Sequence, residues 1–467
     1  MGKEILIQVQ KNETLVSIVQ NRKVDDFFIE KKNDQSLLGN IYKGRVESIL
    51  PSINAAFVDI GEKRNGFLYL TDVLESLEGS EVINPLVKEP MSNLQKITEK
   101  LFNIKKDEIL DDDLEPAEPK KKKEGRGRHK KHKLDLDKIP LKEGQEILVQ
   151  VVKDAFAGKG PRLTSQISLP GRFVVYMPFE KHIRISRKID NAEERKRLRE
   201  LLKDFSAIKT GKTGGFIIRT VALKKGAKEL VRDAKFFVKL WSKIQKKSEK
   251  ESAPSVLYEE GELTWKIVRD YLTDEIDKVM IDSEEEYKRF RKFVQTLIGR
   301  HMVNKIEHYD DQVSLFQAKK IAKDLRSIYN TNVYLKSGAY IIIEPTEGLI
   351  VVDVNSGKFK AKNSSPDEAA FIVNLAVVPE IARQLRLRDL GGIIVIDFID
   401  MKKEDHKKKI FEALKQELAK DHAKTEVLKI SSLGLIEMTR ERTGKNIESI
   451  SFNRCPFCSG RGKVKII

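Results

Sequence analysis

Residues 391–405 read GGIIVIDFIDMKKED, and this stretch decides how the last third of the chain is interpreted. Two glycines precede four aliphatic residues, a pattern typical of a strand buried on both faces inside a mostly parallel sheet. The run ends in Asp397, and Asp400 follows it. A buried carboxylate needs a partner or a role, because burying its charge alone is costly. On an extended strand Asp400 would leave from the opposite face, so we expect it to cap or to pair with Lys402 or Lys403.

A second apolar run ending in an acid lies upstream, in EGLIVVDVNSGKF (347–359), where Asp353 follows four aliphatic residues. Strand ends of open α/β sheets meet at ligand crevices, so we expect Asp353 and Asp397 to lie close together. Two neighbouring carboxylates repel each other unless a cation neutralises them, and magnesium prefers such oxygen ligands. Magnesium bound to a phosphodiester polarises the phosphoryl oxygen and lowers the pKa of an attacking water. The alternative is that both acids merely cap helices or turns.

The composition indicates a multidomain protein with a polyanionic partner. A chain of 467 residues is too long for one core, and its net charge of +17 favours nucleic acid or an acidic membrane surface. No apolar run approaches the ~20 residues of a membrane span. The N-terminus alternates like a strand and lacks the apolar segment of a signal peptide, so we expect a cytoplasmic protein. Two cysteines are too few for a disulfide framework.

Composition also divides the chain into regions. Strand patterns with Pro and Gly turns over 40–70, resuming at 142–169, predict a small barrel. The charged residues 76–138 interrupt it and predict a long, solvated, disordered insertion; the alternative is that its basic part adds RNA affinity. Strands and helices then alternate to the end. The predicted fold class is therefore α/β and multidomain.

Three segments together resemble a known family: IARQLRLRDLGGIIVIDFIDM (381–401), EGLIVVDVNSG (347–357) and RCPFCSGRGKV (454–464). They are similar to the RNase E/G family of bacterial endoribonucleases, in particular to its short, RNase G-like members. The similarity extends over nearly the whole chain except the insertion.

The resemblance implies that Asp353 and Asp397 are the magnesium-binding catalytic acids and that Asn355 assists them. It implies hydrolysis of single-stranded RNA that leaves a 5′-monophosphate on the downstream product. It also implies the following organisation: an RNase H-like subdomain (1–36 and 265–328), an OB-fold RNA-binding barrel (37–170), a 5′ sensor (171–264), a DNase I-like catalytic subdomain (329–451) and a zinc-link (452–467).

Aromatic residues are the candidate RNA contacts of the barrel. Phe57 and Phe67 fall on two adjacent predicted strands. Stacking of an unpaired base on such a ring is worth ~1–3 kcal/mol. Either residue alone would more often be a core residue, but the resemblance favours RNA contact for both, with Lys159 close by.

The resemblance also assigns a pocket for the 5′-phosphate of the substrate. An Arg fork and a hydroxyl suit a phosphate, although an Arg-Thr pair after a strand is more often an ordinary surface feature. Position 424 carries a lysine where some relatives have arginine. The assigned residues are Gly171, Val175, Arg187, Arg219, Thr220 and Lys424.

Cys455 and Cys458 offer two thiolates, whereas structural zinc takes four ligands. A redox dithiol is one reading, and two chains sharing one zinc is the other. The family joins its dimer in the second way, so we expect a homodimer. The chain stops nine residues after Cys458, where relatives continue with a small helical domain, and this weakens the expectation of a tetramer.

The sequence departs from the family in FIVNLAVVPEIARQ (371–384), where Ile372 and Ala376 replace polar residues. Both aspartates are intact, so we expect an active enzyme in RNA processing, rRNA processing and mRNA decay, stimulated by a 5′-monophosphate. A non-catalytic RNA-binding or scaffold protein on the same fold is the alternative. A nuclease acting on DNA is a third possibility.

Overall fold

The structure is a computed structural model. It describes residues 2–32, 36–73, 141–155, 159–203, 214–223, 225–346, 348–359, 365–431, 433–442, 446–453, 455–458 and 462. The predicted disordered insertion at 76–138 lies outside the described residues.

The strands in chain order are β1 (Lys3–Val9), β2 (Glu13–Gln20), β3 (Lys23–Lys31), β4 (Ile41–Leu50), β5 (Ala55–Asp59), β6 (Gly66–Tyr69), β7 (Glu146–Lys153), β8 (Arg162–Thr164), β9 (Leu169–Pro170), β10 (Val174–Met177), β11 (Ile183–Ile185), β12 (Gly215–Ile218), β13 (Ser255–Tyr258), β14 (Ile276–Ile281), β15 (Ile306–His308), β16 (Asn332–Tyr334), β17 (Tyr340–Pro345), β18 (Leu349–Asn355), β19 (Gly392–Asp397), β20 (Thr425–Val427) and β21 (Leu435–Arg440).

The α-helices are α1 (Ala192–Lys203), α2 (Ala227–Lys250), α3 (Leu263–Asp270), α4 (Glu284–Leu297), α5 (Arg300–Val303), α6 (Leu315–Ala318), α7 (Ala322–Ser327), α8 (Pro366–Leu387), α9 (Glu404–Leu418) and α10 (Ile447–Ser451). None of the helices in the described part of the chain is long and apolar enough to cross a membrane.

The chain folds into two compact units. The first combines Met1–Gln35 with Glu262–Ile467, and the second is Ser36–Gly261. The second unit is therefore inserted between β3 and α3 of the first. The finer division into five regions stays a prediction.

The first sheet of the discontinuous unit has the order β15-β14-β1-β2-β3, and β1 pairs in parallel with β14. Successive side chains of β1 point to opposite faces of this sheet, and both faces are apolar. Ile5 and Ile7 pack with α3 and α4, while Leu6 packs with residues of α6 and α7. Such strands are apolar on both faces because helices cover both.

The second sheet of this unit has the order β16-β17-β18-β19-β21-β20. Helices α8 and α9 cover one face, and Ile394 and Ile396 of β19 belong to that core. The prediction that β19 is buried on both faces is wrong, since Ile393 is 53% exposed on the other face. The prediction of a mostly parallel sheet is also wrong here: β18–β19 is a parallel pair, whereas β17 and β21 run antiparallel to them.

The inserted unit contains a small five-stranded barrel. Its sheet runs β13-β4-β5-β6-β8-β7, and an additional pairing of β4 with β7 closes the ring. Its core contains Val46, Ala56, Val58, Leu68 and Leu163. The barrel predicted from the turn-separated strands is confirmed, in a chain that is mixed α/β throughout.

A smaller sheet of the order β11-β12-β10-β9 completes the inserted unit, and α2 packs against β10. Helix α2 has 24 residues and a buried stripe at helical spacing. The stripe consists of Leu230, Asp233, Ala234, Phe237, Trp241, Ile244 and Ser248. Asp233 is the one acid of this stripe, and its carboxylate accepts backbone hydrogen bonds that are described with the site below.

Candidate active site and RNA interface

Two acids face each other across the only parallel pair that β18 forms among the described strands. Asp353 of β18 and Asp397 of β19 are direct register partners. Neighbouring strands lie about 4.8 Å apart, so side chains at opposed positions leave the same face side by side. Both acids lie on the face opposite the helices, because the residues that alternate with them, Val352 and Ile396, are fully buried in the helix-covered core.

Asn355 lies two residues beyond Asp353 on the same strand face. Its Nδ2 donates to Oδ2 of Asp353 at 2.8 Å. A carboxylate that accepts such a bond has a fixed orientation, with its other oxygen still available as a ligand. The structure therefore brings together Asp353, Asp397 and Asn355, the three residues to which the family resemblance assigned catalysis.

Asp400 belongs electrostatically to this group. Partial burial raises the pKa of Asp397, and the negative charges of Asp353 and Asp400 raise it further. The expectation that Asp400 leaves from the opposite face assumed an extended strand; β19 ends at Asp397, so that expectation stays a prediction. Three carboxylates therefore concentrate negative charge at this edge of the sheet.

The segment that follows Asp397 is held by helix α8. Nδ2 of Asn374 donates to the Ile399 carbonyl at 2.8 Å, and the Ile399 N–H donates to Oδ1 of Asn374 at 3.1 Å. About two helical turns earlier, Asp367 accepts the backbone N–H of Lys402 at 2.6 Å. These contacts escape sequence reasoning because they join positions 25 and 35 residues apart.

The two departures from the family lie elsewhere on α8. Ile372 is 38% exposed and Ala376 is exposed beside it, whereas Asn374 is fully buried. The substitutions therefore leave the Asn374–Ile399 contact in place.

The donor set suits magnesium. Within the part of the chain that is described, no cluster of three or more His, Cys, Asp and Glu side chains forms a complete metal cage. Magnesium does not require one, since it is commonly bound by one or two carboxylates, with waters and substrate phosphates completing its six ligands. The oxygen ligands of Asp353 and Asp397 and the unfavourable charge at Asp397 both fit such an ion.

Phe57 and Phe67 lie on the outer surface of the barrel. They are register partners on β5 and β6, with ring centroids 5.9 Å apart. Both are half-buried, whereas their strand neighbours Val58 and Leu68 fill the barrel core. Lys159 is exposed and precedes β8, which pairs with β6. This placement favours the RNA-contact reading over core packing, and the contact itself stays a proposal.

Five of the six proposed sensor residues gather on the smaller sheet of the inserted unit. Strands β11 and β12 run in parallel with Ile185 opposite Ile218, so Arg187 and Arg219 follow the ends of adjacent strands. Val175 pairs with the residue before Ile218 in the neighbouring strand. Thr220 begins a short 3₁₀ turn directly after Arg219.

The remaining contacts fix the arginine of this group. Nη1 of Arg219 donates to the Gly171 carbonyl at 2.6 Å. Lys424 belongs to the other compact unit, where it precedes β20. Its ammonium lies 3.4 Å from Glu426, in an exposed ion pair.

Asp233 of α2 holds the backbone next to the proposed sensor residues, and it was not predicted from the sequence. Its Oδ2 accepts the backbone N–H of Phe173 at 2.7 Å and that of Val174 at 3.1 Å. Burial raises the pKa of Asp233 to about 6, although these hydrogen bonds and the charges of Arg219 and Arg172 lower it. A Cβ at Gly171 would lie 2.5 Å from the same oxygen, so only glycine fits there.

Comparisons with known proteins identify the family of this chain. A profile of the Ribonuclease E/G family matches residues 168–443. The chain belongs to this family. Ribonuclease G of Escherichia coli (strain K12) is 35% identical over 470 residues, covering 100% of this chain and 85% of the relative. Ribonuclease G of Haemophilus influenzae is 33% identical (99% and 84% covered), and Ribonuclease E of Nostoc sp. is 32% identical (99% and 59%).

Membership of the RNase E/G family makes the chain an endoribonuclease, and its substrate is RNA. The match covers the sheet that carries the acid pair, the smaller sheet of the inserted unit, and α8. The family assignment expected from the three quoted segments is confirmed.

The cysteine pair lies close to the C-terminus of the chain. Cys455 is exposed, Cys458 is partly exposed, and neither forms a disulfide among the described residues. The described residues place no histidine or acid with them as a third zinc ligand. Two thiolates from one chain leave half of a tetrahedral site to be filled.

Proposed function

We propose that this endoribonuclease is magnesium-dependent and cleaves single-stranded RNA in RNA processing and decay. It leaves a 5′-monophosphate on the downstream product, and a 5′-monophosphate on the substrate stimulates it. The observation that carries the proposal is the register pairing of Asp353 with Asp397 on an uncovered sheet face.

The residues of the chain have distinct roles in this reaction. Asp353 and Asp397 would hold the magnesium ion, and Asn355 orients Asp353 through its 2.8 Å hydrogen bond. When bound, the ion polarises the phosphoryl oxygen and lowers the pKa of the attacking water. Water adds to phosphorus and the bond to the 3′ oxygen breaks, so the phosphate stays on the 5′ end of the downstream product.

The architecture supports a division of labour. We assign the sheet of β16–β21 to a DNase I-like catalytic subdomain and the sheet of β1–β3, β14 and β15 to an RNase H-like one. The five-stranded barrel is assigned to an OB-fold that binds RNA through Phe57, Phe67 and Lys159. The outward rings on adjacent strands support this role, because unpaired bases stack on such surfaces.

The 5′ sensor is assigned to the sheet of β9–β12. Arg219 and Arg187 supply planar forks that suit a terminal phosphate, and the Thr220 hydroxyl adds a donor. The hydrogen bond from Arg219 to the Gly171 carbonyl supports a preorganised position for this arginine. Gly171 and Val175 line the pocket in this assignment.

A homodimer through one shared zinc is part of the same proposal. Two cysteines at C-x-x-C spacing support it, since two chains together supply the four sulfurs of a structural zinc site.

The experiment compares cleavage of a labelled single-stranded RNA that carries either a 5′-monophosphate or a 5′-hydroxyl, across a magnesium titration. Asp353→Asn and Asp397→Asn should each lower the cleavage rate by at least about 100-fold, because each removes an anionic metal ligand. Their RNA affinity should stay within about twofold of the unmodified protein. Asp405→Asn is the matched control, since Asp405 is an exposed acid of helix α9.

Three outcomes count against the proposal. Retained cleavage in both variants would remove the acid pair from the chemistry. RNA binding by the unmodified protein without any cut would indicate a scaffold instead. Equal cleavage of the two 5′ ends would remove the sensor.

A further inference from the structure

The aromatic surface of the barrel does not end at Phe67. The ring of Tyr69 meets the ring of Phe67 edge to face, with centroids 4.9 Å apart. The guanidinium of Arg162 lies over the Tyr69 ring, 4.7 Å from its centroid. Phe57, Phe67, Tyr69 and Arg162 therefore form one continuous row of planar groups.

Strand register explains this row. Phe67 and Tyr69 are two residues apart on β6, so they point to the same side, while Leu68 between them is fully buried. Arg162 is the register partner of Phe67 on β8, and Leu163 after it enters the core. The half-buried Tyr69 and Arg162 thus share the outer face with the proposed RNA-binding pair.

Arg162 forms no ion pair with an acid among the described residues. Two buried arginines elsewhere in the chain have acidic partners: Arg383 pairs with Glu380, and Arg440 pairs with Asp421. By contrast, Nε of Arg162 is buried without a hydrogen-bond partner in the described part of the chain. A guanidinium that lies over a tyrosine ring can still offer its other face and its terminal N–H groups to a ligand.

We propose that Arg162 and Tyr69 form a further nucleotide-binding position beside Phe67. It takes one unpaired nucleotide of single-stranded RNA: the base stacks on the guanidinium plane, and an in-plane N–H binds a backbone phosphate. Tyr69 supports the guanidinium from its other side. This inference rests on the proposed binding of single-stranded RNA by the barrel.

Stacking and charge make separable contributions at this position. A lysine keeps the positive charge but offers no plane, and a phenylalanine keeps the ring at position 69 but removes the hydroxyl. Arg162→Lys and Tyr69→Phe are therefore informative partners for the alanine variants.

The test measures binding of a fluorescent, 5′-hydroxyl, single-stranded RNA of about 15 nucleotides to the full chain without added magnesium. Arg162→Ala and Tyr69→Ala should each weaken binding by roughly 5- to 100-fold, the range of a lost base-stacking contact. Arg162→Lys should recover little of the loss, and Tyr69→Phe should bind like the unmodified protein. Arg162→Ala should also reduce the slope of log affinity against log salt by about 0.7.

Two further variants make the outcome decisive. Phe67→Ala reports on the barrel surface itself, and Arg199→Ala removes an exposed charge from helix α1 as a control. If Phe67→Ala weakens binding while Arg162→Ala and Tyr69→Ala do not, the new position is wrong and the barrel proposal stands. If Phe67→Ala has no effect either, the barrel proposal itself fails. Full recovery by Arg162→Lys would contradict stacking.

Discussion

The side chain of Asn374 satisfies both hydrogen-bonding groups of the Ile399 backbone, at 2.8 Å and 3.1 Å. Ile399 lies two residues after Asp397, so a fully buried residue of α8 fixes the chain that leaves the acid pair. Asn374 thereby positions Asp397 without facing the uncovered side of the sheet.

Replacing Asn374 with alanine or aspartate should slow cleavage by roughly 10- to 100-fold, as loss of an outer contact to a metal-binding residue commonly does. Affinity for RNA should not change, because the barrel lies in the other compact unit. Single-turnover rates at saturating RNA, with magnesium varied, measure the effect. Leu375→Ala is the control, since that neighbour is 41% exposed. If the Asn374 variants cleave as fast as the Leu375→Ala control, Asn374 has no positioning role.

Asp400→Asn tests the third acid of the cluster. A unit charge about 7 Å from a divalent ion is worth ~1 kcal/mol in water, so the magnesium concentration for half-maximal rate should rise by roughly threefold to tenfold. The maximal rate at saturating magnesium should change less, because both direct ligands remain. Asp405→Asn should leave the titration unchanged. An unaltered titration for Asp400→Asn would show that its charge does not reach the ion.

Asp233→Asn should change how the inserted unit responds to pH. Because the pKa of Asp233 is raised by burial to about 6, its contribution to stability is largest at low pH and is lost as pH rises through 6. Asparagine cannot ionise, so the stability of the variant relative to the unmodified protein should improve by about 2 kcal/mol between pH 4.5 and pH 8.

The two tryptophans allow this measurement in one unit. Trp241 lies in α2, while Trp265 lies in α3 of the other unit. In a Trp265→Phe background, denaturant unfolding followed by Trp241 fluorescence reports on the inserted unit. A difference between variant and parent that does not vary with pH would place the pKa of Asp233 in its usual range.

Cys455→Ser combined with Cys458→Ser should release zinc and convert a dimer to a monomer. Two serines supply no thiolate, and a zinc shared between chains would lose all four sulfurs. Native mass measurement and zinc analysis check both effects, and Phe457→Ala controls for the exposed ring between them. A zinc-free dimer would show that other contacts join the chains.

Local patterns sufficed to predict several features of the fold and the candidate site. The apolar runs before Asp353 and Asp397 predicted two strands that end in acids, and these strands are neighbours in register. The turn-separated strands predicted a small barrel, which the ring of β4, β5, β6, β8 and β7 confirms. Apolar runs and the Pro and Gly turns between strands are local features of the sequence, and these two features carried both predictions.

Features that depend on distant partners escaped prediction. Asp233 accepts N–H groups from residues about 60 positions away, and Tyr69 meets Arg162 only through the pairing of β6 with β8. The apolar run GGIIVI led to the wrong prediction that both faces of β19 are buried. Sequence does not distinguish an isoleucine on an uncovered sheet face, such as Ile393, from a buried one. The end of β19 at Asp397 was not predicted, because no local signal marks it.

The parallel pairing of β1 with β14 has a consequence for synthesis on the ribosome. Strand β1 is made before the whole inserted unit, yet its partner strand begins at Ile276, after that unit. At 5–20 residues per second, the first three strands wait roughly 10 to 50 s for this partner. Over that interval one edge of β1 stays open to pairing with other nascent chains, so a message truncated before codon 276 should yield an aggregation-prone product.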